Sequence, residues 1–176
     1  MSKKMSWSGL LAIVLVFGLM GIGCKNNSNN GETEIWSNVT NFNQLEGTWK
    51  LLSNVTFPFS MIENMDESWK TEVEEHSITF NVIAKTTTTS GRFTEIYTGG
   101  NIDIWEIWKQ EWKNSTPDDY IIVINEANHS ISNVFDNVIQ TLTEEDIITI
   151  MNTFQINKNG TKLKEITNGI EVIYTM

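Results

Sequence analysis

FQINKNGTKLKEITNGIEVIY, residues 154–174, carries the reading that decides the fold. Three runs of alternating apolar and polar residues, 154–158, 161–166 and 170–174, are joined by Asn159-Gly160 and Asn168-Gly169. Asn-Gly supplies the positive φ that tight turns between antiparallel strands require, so the stretch reads as a meander of three short strands. The same period of two recurs upstream. Trp49, Leu51, Val55 and Phe57 share one face of a strand that ends at Pro58, and Ile78, Phe80, Val82 and Ala84 share one face of a second. Ser90-Gly91-Arg92 reads as a tight turn into a third strand over 93–98. YIIVIN, residues 120–125, is apolar on both faces and reads as a buried fourth strand. A turn at 126–129 leads to a fifth, 130–139, with an irregularity expected around 133–136.

Helix signals occupy alternate connections. Ser60 and Glu63 have capping-box spacing, and Ile62, Met65, Trp69 and Val73 fall on one stripe, which predicts a helix over 61–73. Asn101 caps a second over 102–113, with Ile104, Ile107, Trp108 and Trp112 as its stripe, Trp105 at the edge and Pro117 beyond its end. Ile102 and Ile104 also alternate, which leaves a strand-like beginning open. Thr143 caps a third over 144–153, where Glu144, Glu145 and Asp146 suit the helix dipole and Ile147, Ile148, Met151 and Phe154 supply the apolar stripe. In an up-and-down sheet successive connections alternate between two ends. All three helices are therefore expected at one end and the tight turns at the other. Eight strands suffice to close a small barrel. The expected fold is mainly β: an eight-stranded antiparallel up-and-down barrel over residues 45–176, a cup closed by hairpins and rimmed by helices.

Composition narrows the function. Acids outnumber Lys plus Arg by 22 to 12, for a formal net charge of −10 over 176 residues. Nucleic-acid binding needs a basic surface, and this chain lacks one. Seven Trp and eight Phe are too many for a disordered protein. A single Cys excludes a disulfide scaffold within the chain and a Cys-based zinc site.

That Cys has a telling position. Lys3 and Lys4 precede an uncharged apolar run over 10–20, then Gly21-Ile22-Gly23-Cys24, then an abrupt polar stretch. The layout is that of a secretory signal. Gly23-Cys24 resembles the lipobox of bacterial lipoproteins, although Gly21 stands where Leu is usual. The resemblance implies that residues 1–23 are a signal peptide and that Cys24 is lipidated, which places the protein in the cell envelope, anchored at the outer membrane or cell surface. The alternative is an uncleaved single-span anchor. Removing residues 1–23 takes away two Lys and no acid, so the net charge falls by two from −10, to −12. KNNSNNG, residues 25–31, cannot bury apolar surface. With the residues that follow, it reads as a flexible tether over 24–44, of reach on the order of 25 Å. Ile35 and Trp36 interrupt it as candidates for docking on the domain.

Gly47-Thr48-Trp49, opening the first strand of an eight-strand meander, resembles the Gly-x-Trp motif of the lipocalins and wider calycins. Residues 42–50, FNQLEGTWK, look like the domain start of many bacterial lipocalin-like lipoproteins. The resemblance implies a barrel in which Gly47 and Trp49 form the closed end, with Arg92, the only Arg, as a candidate to stack on the plug Trp. It also implies an apolar or amphipathic ligand. Two family features are missing: the Thr-Asp motif near the sixth turn, where Lys158-Asn159-Gly160-Thr161 stands, and a C-terminal helix.

Catalytic signals are thin. His76 follows Glu72, Glu74 and Glu75, but with no second His nearby a solvated acidic segment explains it, and no metal site is assigned. Asp118-Asp119 and Glu144–Asp146 are explained as turn and cap residues. There is no nucleophile elbow, phosphate loop or His-Glu-x-x-His, so no enzyme and no cofactor is expected. Trp69, Trp105, Trp108 and Trp112, with Glu111 and Met151, fall on helices assigned to the open end and are the candidate ligand-binding mouth. Two functions follow: a lipid-anchored binder of a small apolar or amphipathic ligand, or a surface scaffold whose filled barrel binds a protein partner as an adhesin or inhibitor. A hydrolase is a distant third.

Overall fold

A computed structural model describes residues 34–59, 69–116, 118, 120–167 and 170–176. The fold is mainly β, one antiparallel sheet with two α-helices. In chain order the elements are β1 (Trp36–Asn38), a 3-10 turn (Phe42–Leu45), β2 (Gly47–Leu51), β3 (Val55–Phe59), β4 (Trp69–Asn81), β5 (Thr86–Tyr97), α1 (Ile102–Ser115), β6 (Tyr120–Asn125), β7 (Ser130–Thr141), α2 (Glu144–Thr153), β8 (Phe154–Asn157), β9 (Lys162–Thr167) and β10 (Ile170–Thr175). The ten strands lie in the order β1-β8-β9-β10-β2-β4-β5-β7-β6, with β3 also on β4. β1 and β6 end this order, β3 pairs with β4 alone, and the sheet is not closed.

The Asn159-Gly160 meander forms: β9 pairs with both β8 and β10. Both helices form behind the caps read from sequence. Asn101 accepts from the amides of Asp103 and Ile104, and Thr143 and Asp146 make a reciprocal capping box. The expected bulge is present slightly downstream: the β5–β7 register slips between Thr89 and Gly91, opposite Asn137 at φ +54°.

The eight-stranded closed barrel expected is an open sheet of ten strands; the strand expected to end at Pro58 is two, β2 and β3, with Pro58 inside β3; and the strand expected to be buried on both faces, β6, is an edge that exposes Ile121 and Val123. Four further expectations are corrected. The helix over 61–73 is not formed where it can be seen: Trp69 to Val73 belong to β4, and residues 60–68 lie outside the described residues. Trp69, Thr71 and Val73 all face inward, so period two wins over the helical stripe. The turn expected at 90–92 is the middle of β5, and the real turn is at 82–85, with Lys85 at φ +49°. Gly91 is demanded by close approach, since a Cβ there would lie 2.6 Å from the Glu75 carbonyl oxygen. The segment read as tether already contributes β1, paired with β8, and buried Val39 and Phe42.

The fourth correction concerns topology. β6 pairs with β7, and β7 with β5, both antiparallel, so β5 and β6 run in the same direction with β7 between them. α1 is therefore a crossover that returns the chain partway along the sheet. This breaks the alternation of ends. α1 follows Tyr97 at the end marked by Trp69 and Ser130, while α2 follows Thr141 at the end marked by Asn81 and Thr86. The turns at 82–85 and 158–161 lie at the α2 end, and the turn at 126–129 lies at the α1 end. Trp49 pairs with Ile78 and thus lies toward the α2 end.

One face of the sheet carries both cores. Toward α2, Trp49, Ile78, Phe80, Ile147, Ile150, Phe154 and Leu163 belong to one cluster. Toward α1, Trp69, Tyr97, Trp105, Trp108 and Ile131 form another. Phe93 and Phe135, ring centroids 6.3 Å apart, lie between them.

Candidate functional site

Between the two clusters the inward face turns polar. Along β5 the inward residues are Phe93, Glu95 and Tyr97; along β4, Trp69, Thr71, Val73 and His76; along β7, Ile131, Asn133 and Phe135. Register sets Glu95 between Thr71 and Ile131, and Asn133 opposite Phe93, one step diagonal from Glu95. Thr71 Oγ1 donates to Glu95 Oε2 at 2.8 Å. Burial pushes the Glu95 carboxyl up to about 7, against which the Thr71 hydrogen bond works only partly. Asn133 is 0% exposed, and neither its amide oxygen nor its amide nitrogen has a hydrogen-bond partner among the described residues. Thr89 Oγ1 is likewise unpartnered there. Leaving such groups dry and unpaired costs about 1–3 kcal/mol each, so their retention on an inward face points to something that pairs with them.

A second polar set adjoins the first. Tyr174 of β10 donates its hydroxyl to Glu165 Oε2 at 3.3 Å, and His76 Nδ1 lies 3.1 Å from the same hydroxyl oxygen. With the phenol proton directed at the carboxylate, His76 Nδ1–H is the donor in its contact. Burial brings His76 down to about 4, so the imidazole is neutral near pH 7. Burial first, then Glu165, holds the Tyr174 phenol well above its ordinary value. The His76 and Phe135 rings, 6.3 Å apart, flank Gly91, their common cross-strand neighbour.

The residues singled out from sequence do not converge on one mouth. Trp69, Trp105 and Trp108 are buried together, with Trp69 and Tyr97 centroids 4.4 Å apart. Trp105 Nε1 donates to Glu126 Oε2 at 2.9 Å, and Lys109 bonds Glu126 beside it. Trp112 is half-buried, 6.2 Å from Phe93. Glu111 is exposed. Met151 is half-buried on α2, packed against the other cluster. Gly47 opens β2 at φ +117°, and Trp49, 0% exposed, donates Nε1 to the Leu45 carbonyl at 2.8 Å. Arg92 lies mid-strand on the outer face, 4.0 Å from Glu74, and the cation–π contacts seen are instead Lys109 on Trp105 and Lys164 on Trp36. Cys24 lies outside the described residues.

Thr71, Glu95, Asn133, Tyr174 and Glu165 were not singled out from sequence, and His76, read there as part of a solvated acidic segment, is buried against Tyr174. The available signal was a polar residue at an inward position of a period-two face: Glu95 between Phe93 and Tyr97, Asn133 between Ile131 and Phe135, Glu165 two after Leu163. Among the described residues no three His, Cys, Asp or Glu side chains gather as metal ligands, and no helix is long and apolar enough to cross a membrane. The chain matches no family model, no curated protein and no solved structure.

Proposed function

We propose that the protein is a lipid-anchored binding protein of the bacterial cell envelope that holds a small amphipathic ligand on the inward face of its sheet. Asn133 carries the reading: a fully buried amide, unpartnered on both atoms among the described residues, beside a buried carboxyl and between two apolar clusters. The apolar body of the ligand lies against Phe93, Phe135 and Trp112, and its polar group meets Asn133 and Glu95. The sequence of the first 24 residues supports export and acylation at Cys24. The buried Trp49 at the head of β2 supports kinship with the lipocalin-like barrels, here as an open-sheet variant. Binding, rather than catalysis, is the reading that the absence of a nucleophile–base pair in the sequence motifs supports.

Native mass spectrometry of the full chain from its membrane tests both parts. The polypeptide mass is expected to lack residues 1–23 and to carry acyl chains, which Cys24→Ser removes. A small molecule is expected on the wild-type protein and not on Asn133→Leu. A folded wild-type protein that carries nothing and takes up no amphiphile would overturn the ligand reading.

The scaffold reading has its own observation. β6 is an edge strand without a charged residue or Pro, and it exposes Ile121 (67%) and Val123 (58%) on the outer face. Natural edges are ordinarily blunted, and this one is open to strand addition by a protein partner.

A further inference from the structure

The chemistry around Glu95 specifies the polar group of the ligand, an inference that rests on the proposed binding function. Glu95 has no ion-pair partner among the described residues, and its one hydrogen bond there comes from Thr71. On its own strand it is flanked by the inward rings of Phe93 and Tyr97, and Trp69 opposes Tyr97 one pair further along β4. A buried carboxylate attracts a cation by charge, and aromatic neighbours on the same strand face add ring surface to which a cation is also drawn. An anionic ligand would meet the opposite: the lysines with described ion pairs are Lys70 with Glu72, Lys85 with Glu144, Lys109 with Glu106 and Glu126, Lys162 with Glu34 and Lys164 with Glu171, and none is paired with Glu95. Asn133 completes the set: unpartnered among the described residues, its Oδ1 can accept from an ammonium N–H and its Nδ2 can donate to an oxygen of the same ligand.

We propose that the ligand is an organic amine, a primary ammonium on an apolar body, bound by Glu95 and Asn133 within the ring of Phe93, Tyr97 and Trp69. Binding then requires the ionised carboxylate, so protons compete with the ligand. The other titratable groups on the inward face are Tyr97, whose hydroxyl donates to the Asn101 carbonyl, and His76, Tyr174 and Glu165. His76 is held at about 4 and the Tyr174 phenol well above its ordinary range, so neither changes charge between pH 6 and 8. From α1, Lys109 is engaged by Glu106 and Glu126 at the rim.

The test titrates the full chain in amphipol with octylammonium, octanoate and octanol, reading tryptophan fluorescence. Octylammonium is expected to bind saturably and at least tenfold more tightly than the other two. Its affinity should fall about tenfold from pH 8 to pH 6, because the ionised fraction of a group near 7 falls by that factor while the amine stays charged. Glu95→Gln should remove both the preference for the amine and the pH dependence. Equal binding of all three to the wild-type protein, or no pH dependence, would overturn the amine assignment and leave the amphiphile site standing. No binding of any would remove the proposed function itself. Both outcomes are read on the wild-type chain, whatever the stability of the variant.

Discussion

The two ends of the inward face are covered in different ways. Toward α2, fourteen buried residues drawn from the segment before β2, β2, β4, Leu142, α2, β8, β9 and β10 form a single cluster. Toward α1, the cover is a group of aromatic rings: five buried residues, of which Trp69, Tyr97, Trp105 and Trp108 pack against one another, mostly tilted, beside the uncharged edge strand β6. The first arrangement is surrounded and has little room to rearrange. The second is bounded by an open edge, and few large side chains carry it. A sheet with one tightly wrapped end and one end capped by a helix at its margin separates stability from access, and the polar residues Thr71, Glu95 and Asn133 lie at the boundary of the two.

Substitutions sharpen or break that contrast. Trp49→Ala is expected to cost about 3–5 kcal/mol, since a fully enclosed ring leaves a cavity and an unpaired Leu45 carbonyl. Trp105→Ala removes a ring of equal burial from the α1 end, and hydrogen exchange should then rise in α1 and β6 while α2 and β8 stay protected. A uniform loss of protection would mean one cooperative core in place of two.

The boundary has a pH signature on the order of 3 kcal/mol. Glu95 is raised from an unfolded value of 4.5 to about 7, so the folded state holds more protons and loses stability as pH rises between those values. His76 is lowered from 6.5 to about 4, so the unfolded state holds more protons and the folded state gains stability as pH rises through nearly the same window. The two slopes oppose each other. Glu95→Gln should therefore unmask the His76 slope: measured by denaturant midpoints, the variant gains about 3 kcal/mol relative to wild type between pH 4.5 and pH 7. Identical profiles would mean that Glu95 is not buried without a cation.

Gly91→Ala comes next, at about 1–3 kcal/mol, because the added methyl meets the Glu75 carbonyl of the neighbouring strand. The smallest effect belongs to the caps. Thr143→Ala, which breaks the reciprocal box with Asp146, and Asn101→Ala should each cost about 1 kcal/mol. The Asp146 carboxyl is held below its ordinary value chiefly by Thr143, so the Thr143 contribution is present above the unfolded carboxylate value and fades as pH falls through the lower folded one. A cap loss that did not diminish in acid would contradict that bond.

The elements legible in the sequence are those specified by local chemistry. Asn101 and Thr143 mark helix starts whatever surrounds them, and Asn159-Gly160 marks its turn. The bulge near Asn137 was visible as broken alternation. What escaped depended on contacts from afar. Trp69 and Val73 satisfy a helical stripe and a strand face equally well, and polar Thr71 hid the second. Gly91 has the look of a turn residue, but its requirement comes from a carbonyl on another strand. Residues 82–85, Val-Ile-Ala-Lys, turn without turn residues. The swapped order of β6 and β7 is a nonlocal fact that undoes any argument from parity. The candidate site escaped for a related reason: a buried Glu or Asn inside a strand reads as its solvent face until the strand's partners are known.

The strand order also sets when the protein can fold. β2 pairs with β10, and Trp36 of β1 pairs with Asn157 of β8. The cluster around Trp49 needs Val172 and Tyr174, so its earliest and latest members are separated by nearly the whole domain. Contacts this remote in sequence make folding slow, and they leave an emerging chain without its larger core until the last strand has left the ribosome. On the proposal that the N-terminal segment directs export, that delay is an advantage, because a polypeptide without its larger core can still be threaded through a membrane.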